Sequence, residues 1–409
     1  MSQSNERTDI VIAGAGIAGL ALAIAVRSAL KSNFSVIVCD PALSREPVAD
    51  DRVSAITVGA QRLLETLDIW KVISTRAQPV REMVITDSRL EDAVRPSFLT
   101  FAEDSTIDEP LAYIVEHHDL LSALRNACRD AGVRFNPQAV EVFEVADENL
   151  SAKCTDGTLI AARLLVAADG ARSKLRNAAR ISCVNWPYKQ SGIVATIGHE
   201  RDHEGRAMQH FLPAGTFAIL PLIGKRSSIV WTEKTEEANR IVALGPEEFK
   251  AELLRRFGRQ LGEIELLSSV RAYPLMLSMA RRFVADRFAL LGDAAHVIHP
   301  LAGQGLNLGL RDVAALAECI VDAARLGLDF GSSDILKRYE RWRRSDTTVM
   351  MGATDGLNRL FSNDSAALRI VRDVGLGVID RLPDLKRYFS WEAAGLSGEL
   401  PRLTRGEML

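Results

Sequence analysis

Gly14, Gly16 and Gly19 stand in the spacing G-x-G-x-x-G, and Asp40 follows about twenty residues later. That combination can bind a dinucleotide. The first glycine permits a tight turn, the second lets bare backbone approach a pyrophosphate, and the third lets a helix pack closely on a strand. The phosphates then meet the positive end of the helix, and the Asp40 carboxylate suits ribose hydroxyls. Taken alone, this set does not separate NAD from FAD.

Two further stretches carry related chemistry. Asp169 and Gly170 close an apolar run and lead into Ala171, Arg172 and Ser173; an Asp-Gly pair there is equally an ordinary turn. The third stretch is denser. Gly292 and Asp293 lead to His296, then His299 and Pro300, then Gly303, Gln304, Gly305, Leu306 and Asn307. A carboxylate at a strand end suits a hydroxyl chain, the glycines bring backbone N–H groups close to a ligand, and the following helix favours an anion such as a reduced flavin. His296 and His299 lie three apart, which metal ligation would allow, but no third ligand is nearby and both read as structural hydrogen-bonding groups. The five cysteines, Cys39, Cys128, Cys154, Cys183 and Cys319, are dispersed. They read as reduced thiols, neither zinc ligands nor a redox pair. No metal set and no nucleophile–base triad is visible, so no side chain is assigned a catalytic role.

These residues need elements to hold them. Residues 10–13, 35–39, 164–168 and 288–291 are short apolar runs, as buried parallel strands require. Leu20, Ala23 and Ile24 continue at helical spacing, as do Leu310, Val313, Leu316, Ala317 and Ile320. Residues 191–196, 210–222 and 227–233 read as strands of an antiparallel sheet. Within it Phe211, Leu212, Phe217, Ile219, Leu220 and Pro221 serve equally well as pocket wall or core. From Ser345 onward, Leu357, Leu360, Phe361, Leu368, Val371, Val374 and Val378 recur at helical spacing, for packing or for docking. The basic group Lys337, Arg338, Arg341, Arg343 and Arg344 reads as a solvated helix face.

Composition narrows the class. With 409 residues and 47% hydrophobic content, the chain can bury a sizeable core in two or three domains. A net charge of −3 gives no basic surplus for nucleic acid. Residues 1–8 are polar and read as no signal peptide, and the uncharged run 10–26 holds three glycines and falls short of a membrane span.

Several blocks together resemble a known family. They are Asp51 and Arg52 through Ile56; Tyr113, Glu116, Leu120 and Leu124; residues 165–173; and residues 292–313. Arg341, Arg344, Thr354, Asp355, Leu357, Leu360, Phe361, Leu385 and Lys386 extend them. The chain resembles the class A flavoprotein monooxygenases, with the p-hydroxybenzoate hydroxylase fold, and within them the ubiquinone-biosynthesis hydroxylases. The resemblance implies an α/β protein with a Rossmann-type FAD-binding domain, an inserted antiparallel β-sheet substrate domain and C-terminal helices. Residues 1–75, 110–180 and 281–345 would form the first, 76–109 and 181–280 the second, and 346–409 the third.

The resemblance also implies FAD, O2, and NAD(P)H or reduced ferredoxin as electron donor. A flavin C4a-hydroperoxide would hydroxylate the ring of a polyprenylated ubiquinone precursor; the alternative substrate is a small soluble aromatic acid or phenol. Gly14, Gly16, Gly19 and Asp40 would hold the ADP half, and Arg52 would reach the flavin side. Asp169 belongs to a motif shared by FAD and NAD(P)H contacts. Asp293, beside Gly292, would bind the ribityl chain, and Pro300, Gly303, Gln304, Gly305, Leu306 and Asn307 would lie against the isoalloxazine. Asp40 stands where the class more often has Glu, and His117 and His118 stand where the family varies. The family further implies a cytoplasmic enzyme with peripheral membrane contact and assembly with other ubiquinone-biosynthesis proteins. A disulfide reductase would need a C-x-x-x-x-C pair and a second G-x-G-x-x-G, and a halogenase W-x-W-x-x-P; neither pattern is present. A flavin-binding scaffold without turnover is the reading from outside enzymes.

Overall fold

The computed structural model describes residues 5–47, 51–87, 99–102, 109–299, 303–361 and 398–409. Among these residues, the first strand, Asn5–Ala13, lies between Leu159–Ala167 and Val36–Cys39, parallel to both. Phe288–Leu290 extends the sheet beyond Leu159–Ala167, and Arg134–Asn136 extends it beyond Val36–Cys39, again in parallel. Their apolar runs are buried on both faces, as a sheet covered by helices requires. The register then does the functional work. Ala13 pairs with Cys39 and Ala167, and Ala167 pairs with Leu290. Chain segments more than a hundred residues apart therefore end side by side, and Gly14, Asp40, Asp169 and Gly292 emerge from one edge.

A second sheet of nine strands is built around the long strand Cys183–His199, flanked by Arg226–Lys234 and Arg271–Ala280. The stretch expected as one strand at 210–222 is a hairpin, Arg206–Leu212 and Gly215–Leu222, turning at residues 213–214. The sheet is not wholly antiparallel, because Glu82–Asp87 arrives from a distant part of the chain and pairs in parallel with Arg206–Leu212. Helices Thr235–Val242 and Pro246–Phe257 cover one face, burying Ile193, Leu212, Phe217, Ile219 and Trp231. Leu212, Phe217 and Ile219 are thus core, whereas Phe211 packs with Ile85 and Leu360 on the other side.

Two helices complete the layer around the first sheet. Ile17–Leu30 and Gln304–Arg325 both carry small residues where they meet the Gly292 turn: a Cβ on Gly292 would sit 3.5 Å from the Ala18 Cβ and 4.0 Å from the Gly309 Cα. The long helix Ser333–Phe361 runs unbroken across residue 345, where the sequence suggested a separate segment. Strand His296–Val297, in a segment expected to be wholly flavin-side, joins the second sheet through Ser278 and Met279. The described C-terminal residues fold back as a 3-10 turn, Arg402–Arg405, with Leu403 buried and the Arg402 amide donating to Glu318. Of the C-terminal helical segment expected over 346–409, the described residues up to Phe361 are helical and Arg402–Arg405 form a 3-10 turn. Leu368, Val371, Val374, Val378, Leu385 and Lys386 lie outside the described residues.

Candidate flavin site

The first turn is shaped by steric exclusion. Gly14 has φ +120°, and a Cβ there would lie 2.2 Å from the Ala168 carbonyl oxygen. A Cβ on Gly19 would meet the Gly14 carbonyl at 2.1 Å, so helix and turn interlock. Gly16 differs: nothing lies within 4 Å of its Cβ position. Its empty side is where a ligand can approach the backbone. Asp40 faces this turn, accepting from the Ala15 amide at 2.8 Å and, through its other oxygen, from the Ala42 amide at 2.8 Å. Arg125, which the sequence reading did not single out, donates to the carbonyls of Arg45 at 2.6 Å and Ala42 at 2.8 Å and so fixes the segment after Asp40. Its signal was an arginine at i+4 from Leu121 and i−3 from Cys128, on the buried face of helix His117–Asp130.

Asp169 reaches the same edge but caps its own chain. Its carboxylate accepts from the Lys174 amide at 3.0 Å, at the start of helix Lys174–Ala178. Arg52 and Asp293 are brought within electrostatic reach of each other. Asp293 is solvent-accessible yet enclosed by protein on most sides. That enclosure raises its carboxyl above the ordinary range, while His296 and Arg52 pull it down.

Behind Asp293 lies a buried polar network. The Asp312 carboxylate accepts from the Gly292 amide at 3.2 Å and pairs with His296 Nε2 at 2.6 Å; its other oxygen accepts from Arg343 Nε at 2.7 Å. Burial alone would raise Asp312. The His296 and Arg343 charges and their hydrogen bonds outweigh it and hold the carboxyl below its usual value. Arg343 is buried and also bonds Asp346 at 2.5 Å, so it is not part of a solvated basic face. Nothing close to Arg343 in sequence signals this, because its partner Asp312 lies 31 residues away on another helix.

Asn307 likewise works internally. Its side chain donates to the Ala55 carbonyl at 2.7 Å and accepts from the Thr57 amide at 3.1 Å, tying strand Val53–Ile56 to the start of the flavin-side helix. Gly303 caps that helix in the left-handed region at φ +67°, and nothing lies within 4 Å of a Cβ on Gly305. Leu306 packs on the main core, Gln304 begins the helix, and Pro300 lies outside the described residues. Neither Ile17–Leu30 nor Gln304–Arg325 has a side-chain N-cap. Their first amides are left for a ligand, which suits an anionic group at each end. The two open glycine faces, the two uncapped helices and the accessible Asp293 fit FAD. Of the two histidines, His296 has its expected bonds, whereas His299 is fully buried with both ring nitrogens unbonded. A separate cluster of metal-ligating types, Glu116, His118 and Asp119, is already neutralised: Asp119 pairs with Arg76 at 2.6 Å and Glu116 with Arg226 at 3.1 Å.

Comparison with known proteins follows the same line. The FAD binding domain family profile matches residues 7–353. The ubiquinone hydroxylase UbiL of Rhodospirillum rubrum is 43% identical, covering 97% of this chain and 92% of that protein. The 3-demethoxyubiquinol 3-hydroxylase of Escherichia coli K12 is 33% identical, covering 96% of this chain and 100% of its own. Among solved structures, p-nitrophenol 4-monooxygenase PnpA from Pseudomonas putida DLL-E4 superposes with a TM-score of 0.79 over 96% of this chain and 99% of that one. At 18% identity it speaks for the fold.

Proposed function

The chain belongs to the FAD binding domain family and is an FAD-dependent monooxygenase, and from that premise we propose that it hydroxylates the aromatic ring of a polyprenylated ubiquinone precursor. When bound and reduced by NAD(P)H, FAD supplies the transfer of one oxygen atom from O2 to an electron-rich ring. The chain's own residues bind, orient and enclose. The open Gly16 turn and the helix behind it take the pyrophosphate, and Asp40 takes the ribose. Asp293 takes the ribityl hydroxyls with Arg52 alongside. Gly303, Gly305 and the helix N-terminus at Gln304 face the ring system and favour its anionic state. Asp169 and Asn307 serve the same site from behind, by holding backbone. We assign residues 1–75, 110–180 and 281–345 to the flavin-binding body and 76–109 and 181–280 to the substrate side.

The observation that carries this reading is the convergence of three separated motifs on one sheet edge, each presenting open backbone or an accessible carboxylate. The face of the second sheet left bare by the helices gives the substrate a wall. Val194, Val230 and Ala218 are direct cross-strand neighbours there and partly accessible. Their small apolar side chains leave room for a ring and an apolar tail, and such a wall keeps water from the reacting centre. No described helix is long and apolar enough to cross a membrane.

The test is the quinone profile of a deletion strain, extracted in lipid solvent and read by mass spectrometry. Loss of ubiquinone with accumulation of a prenylated precursor lacking one hydroxyl is the expected result. An unchanged profile in a strain without a second hydroxylase would overturn it.

A further inference from the structure

His299 is completely buried, and among the described residues neither ring nitrogen forms a hydrogen bond. A buried polar group without partners is rare and destabilising, so its surroundings call for an explanation. Two further unbonded polar atoms lie around it. The Tyr188 ring meets His299 edge-on, with centroids 5.0 Å apart and planes at 81°, and the Tyr188 hydroxyl is buried without a partner. Asp355, on the long helix, is close enough for its charge to act on both Tyr188 and His299, yet its Oδ1 is also buried and unbonded. Tyr188 and Asp355 are thus neighbours that act on each other, while the Tyr188 hydroxyl and Asp355 Oδ1 fall short of full hydrogen-bond geometry.

The backbone holds this arrangement on purpose-shaped elements. The pairing of Cys183–His199 with Arg271–Ala280 shifts register between Pro187 and Ser191, and Lys189 sits at φ +56°. This bulge re-aims Tyr188 out of the regular pleat, a device common beside active sites. Three residues after Asp355, the Asn358 amide donates to Gln190 at 3.4 Å, and Gln190 donates to the Ala214 carbonyl at 2.7 Å, locking helix to bulge. Burial keeps His299 neutral, its conjugate acid pushed down to about 4. A neutral imidazole offers one donor and one acceptor, the phenol offers both, and Asp355 Oδ1 offers an acceptor.

We propose that Tyr188, His299 and Asp355 form the polar subsite that receives an uncharged ring hydroxyl of the aromatic substrate. This rests on the hydroxylase reading above and sharpens it. Among the described residues, Arg359 is paired with Asp355 at 2.9 Å, and the Asp355 carboxylate itself repels an anion. A substrate carboxylate is therefore disfavoured beside Asp355. A hydroxyl can donate to His299 or Asp355 and accept from Tyr188. The three residues position the ring, and none is asked to break a bond.

The test uses the full chain with FAD bound and three probes: 4-butylphenol, butylbenzene and 4-hydroxybenzoate. Affinity is read from the change in flavin absorbance, alongside probe-stimulated NAD(P)H oxidation. The expected wild-type order is 4-butylphenol tightest, with 4-hydroxybenzoate no better than butylbenzene. Tyr188→Phe and His299→Leu should each weaken 4-butylphenol about tenfold and leave butylbenzene and FAD retention unchanged, while His299→Gln recovers part of the loss. Should His299→Leu fail to hold FAD, Tyr188→Phe decides alone, since it removes one oxygen atom. If the wild type prefers the phenol and Tyr188→Phe keeps that preference, the subsite is wrong and the hydroxylase reading stands. If the wild type neither prefers the phenol nor oxidises NAD(P)H faster with it, both readings fall.

Discussion

Two histidines three residues apart, His296 and His299, are both buried and have opposite surroundings. His296 sits 2.6 Å from Asp312, which Arg343 and the Gly292 amide also hold. His299 touches Tyr188 by its ring and bonds nothing. A buried network whose central carboxylate is bonded through both oxygens specifies one geometry and resists change. An unbonded one raises the free energy of the empty protein and is relieved when a suitable partner arrives. The first histidine therefore belongs to the scaffold that aims Gly292 and Asp293, and the second to a place awaiting a ligand.

The largest test of this contrast is Asp312→Ala, which leaves Arg343 and His296 buried without their carboxylate. Breaking a buried pair this way should destabilise the protein by about 3–5 kcal/mol, read by denaturant unfolding. A loss under about 1 kcal/mol, the scale of an exposed pair, would mean the network is not the scaffold described. Second in size is the acid response of His299. Its folded value is lowered to about 4 from 6.5. As pH falls below 6.5 the unfolded chain takes up a proton that the folded chain refuses, so stability drops until about pH 4 and no further. The full effect is about 3 kcal/mol. Unfolding curves of His299→Leu should be flatter than wild type across that window. Equal slopes would show that His299 finds a partner in solution. Asp312 acts lower: its depressed carboxyl gives stability that is present above about 3.8 and lost as pH falls further.

How much of this could be read from the sequence follows from where each residue's partner lies. The glycine turn was legible because Gly14 and Gly19 answer to backbone only a few residues away, together with the strand end at Ala168. The parallel strands were legible because burial on both faces dictates unbroken apolar runs. Arg343 was read as solvated because nothing near it in sequence reveals Asp312. Arg125 was passed over because its partners, Arg45 and Ala42, are carbonyls that any residue supplies. Tyr188 is harder still. Its place depends on a register shift between two strands, and register is a property of the pair, which neither strand's sequence carries alone. Asp169 and Asn307 show the converse: the motif singles them out, and their side chains hold neighbouring backbone.

The contrast between filled and waiting space also separates Gly14 from Gly16, and it sets the smallest predicted effect on folding. A side chain at Gly14 must displace the Ala168 carbonyl. One at Gly16 meets nothing within 4 Å, and the residue's φ of −75° is open to any amino acid. Gly16→Val should therefore change the stability of the flavin-free protein by under about 0.5 kcal/mol while blocking the approach of the pyrophosphate, so that the purified protein loses its yellow colour. Asp293→Ala belongs beside it. Removing a carboxylate whose ionisation is already disfavoured should leave the flavin-free fold intact and weaken FAD retention through the lost ribityl bonds. The informative measurement is the pair of numbers for each variant, unfolding stability without FAD and FAD bound per chain after gel filtration. Stability lost together with FAD would make Gly16 another packing glycine like Gly14. Stability kept and FAD lost makes it the open face of the site, and unchanged FAD binding in Gly16→Val would move the pyrophosphate elsewhere on the sheet edge.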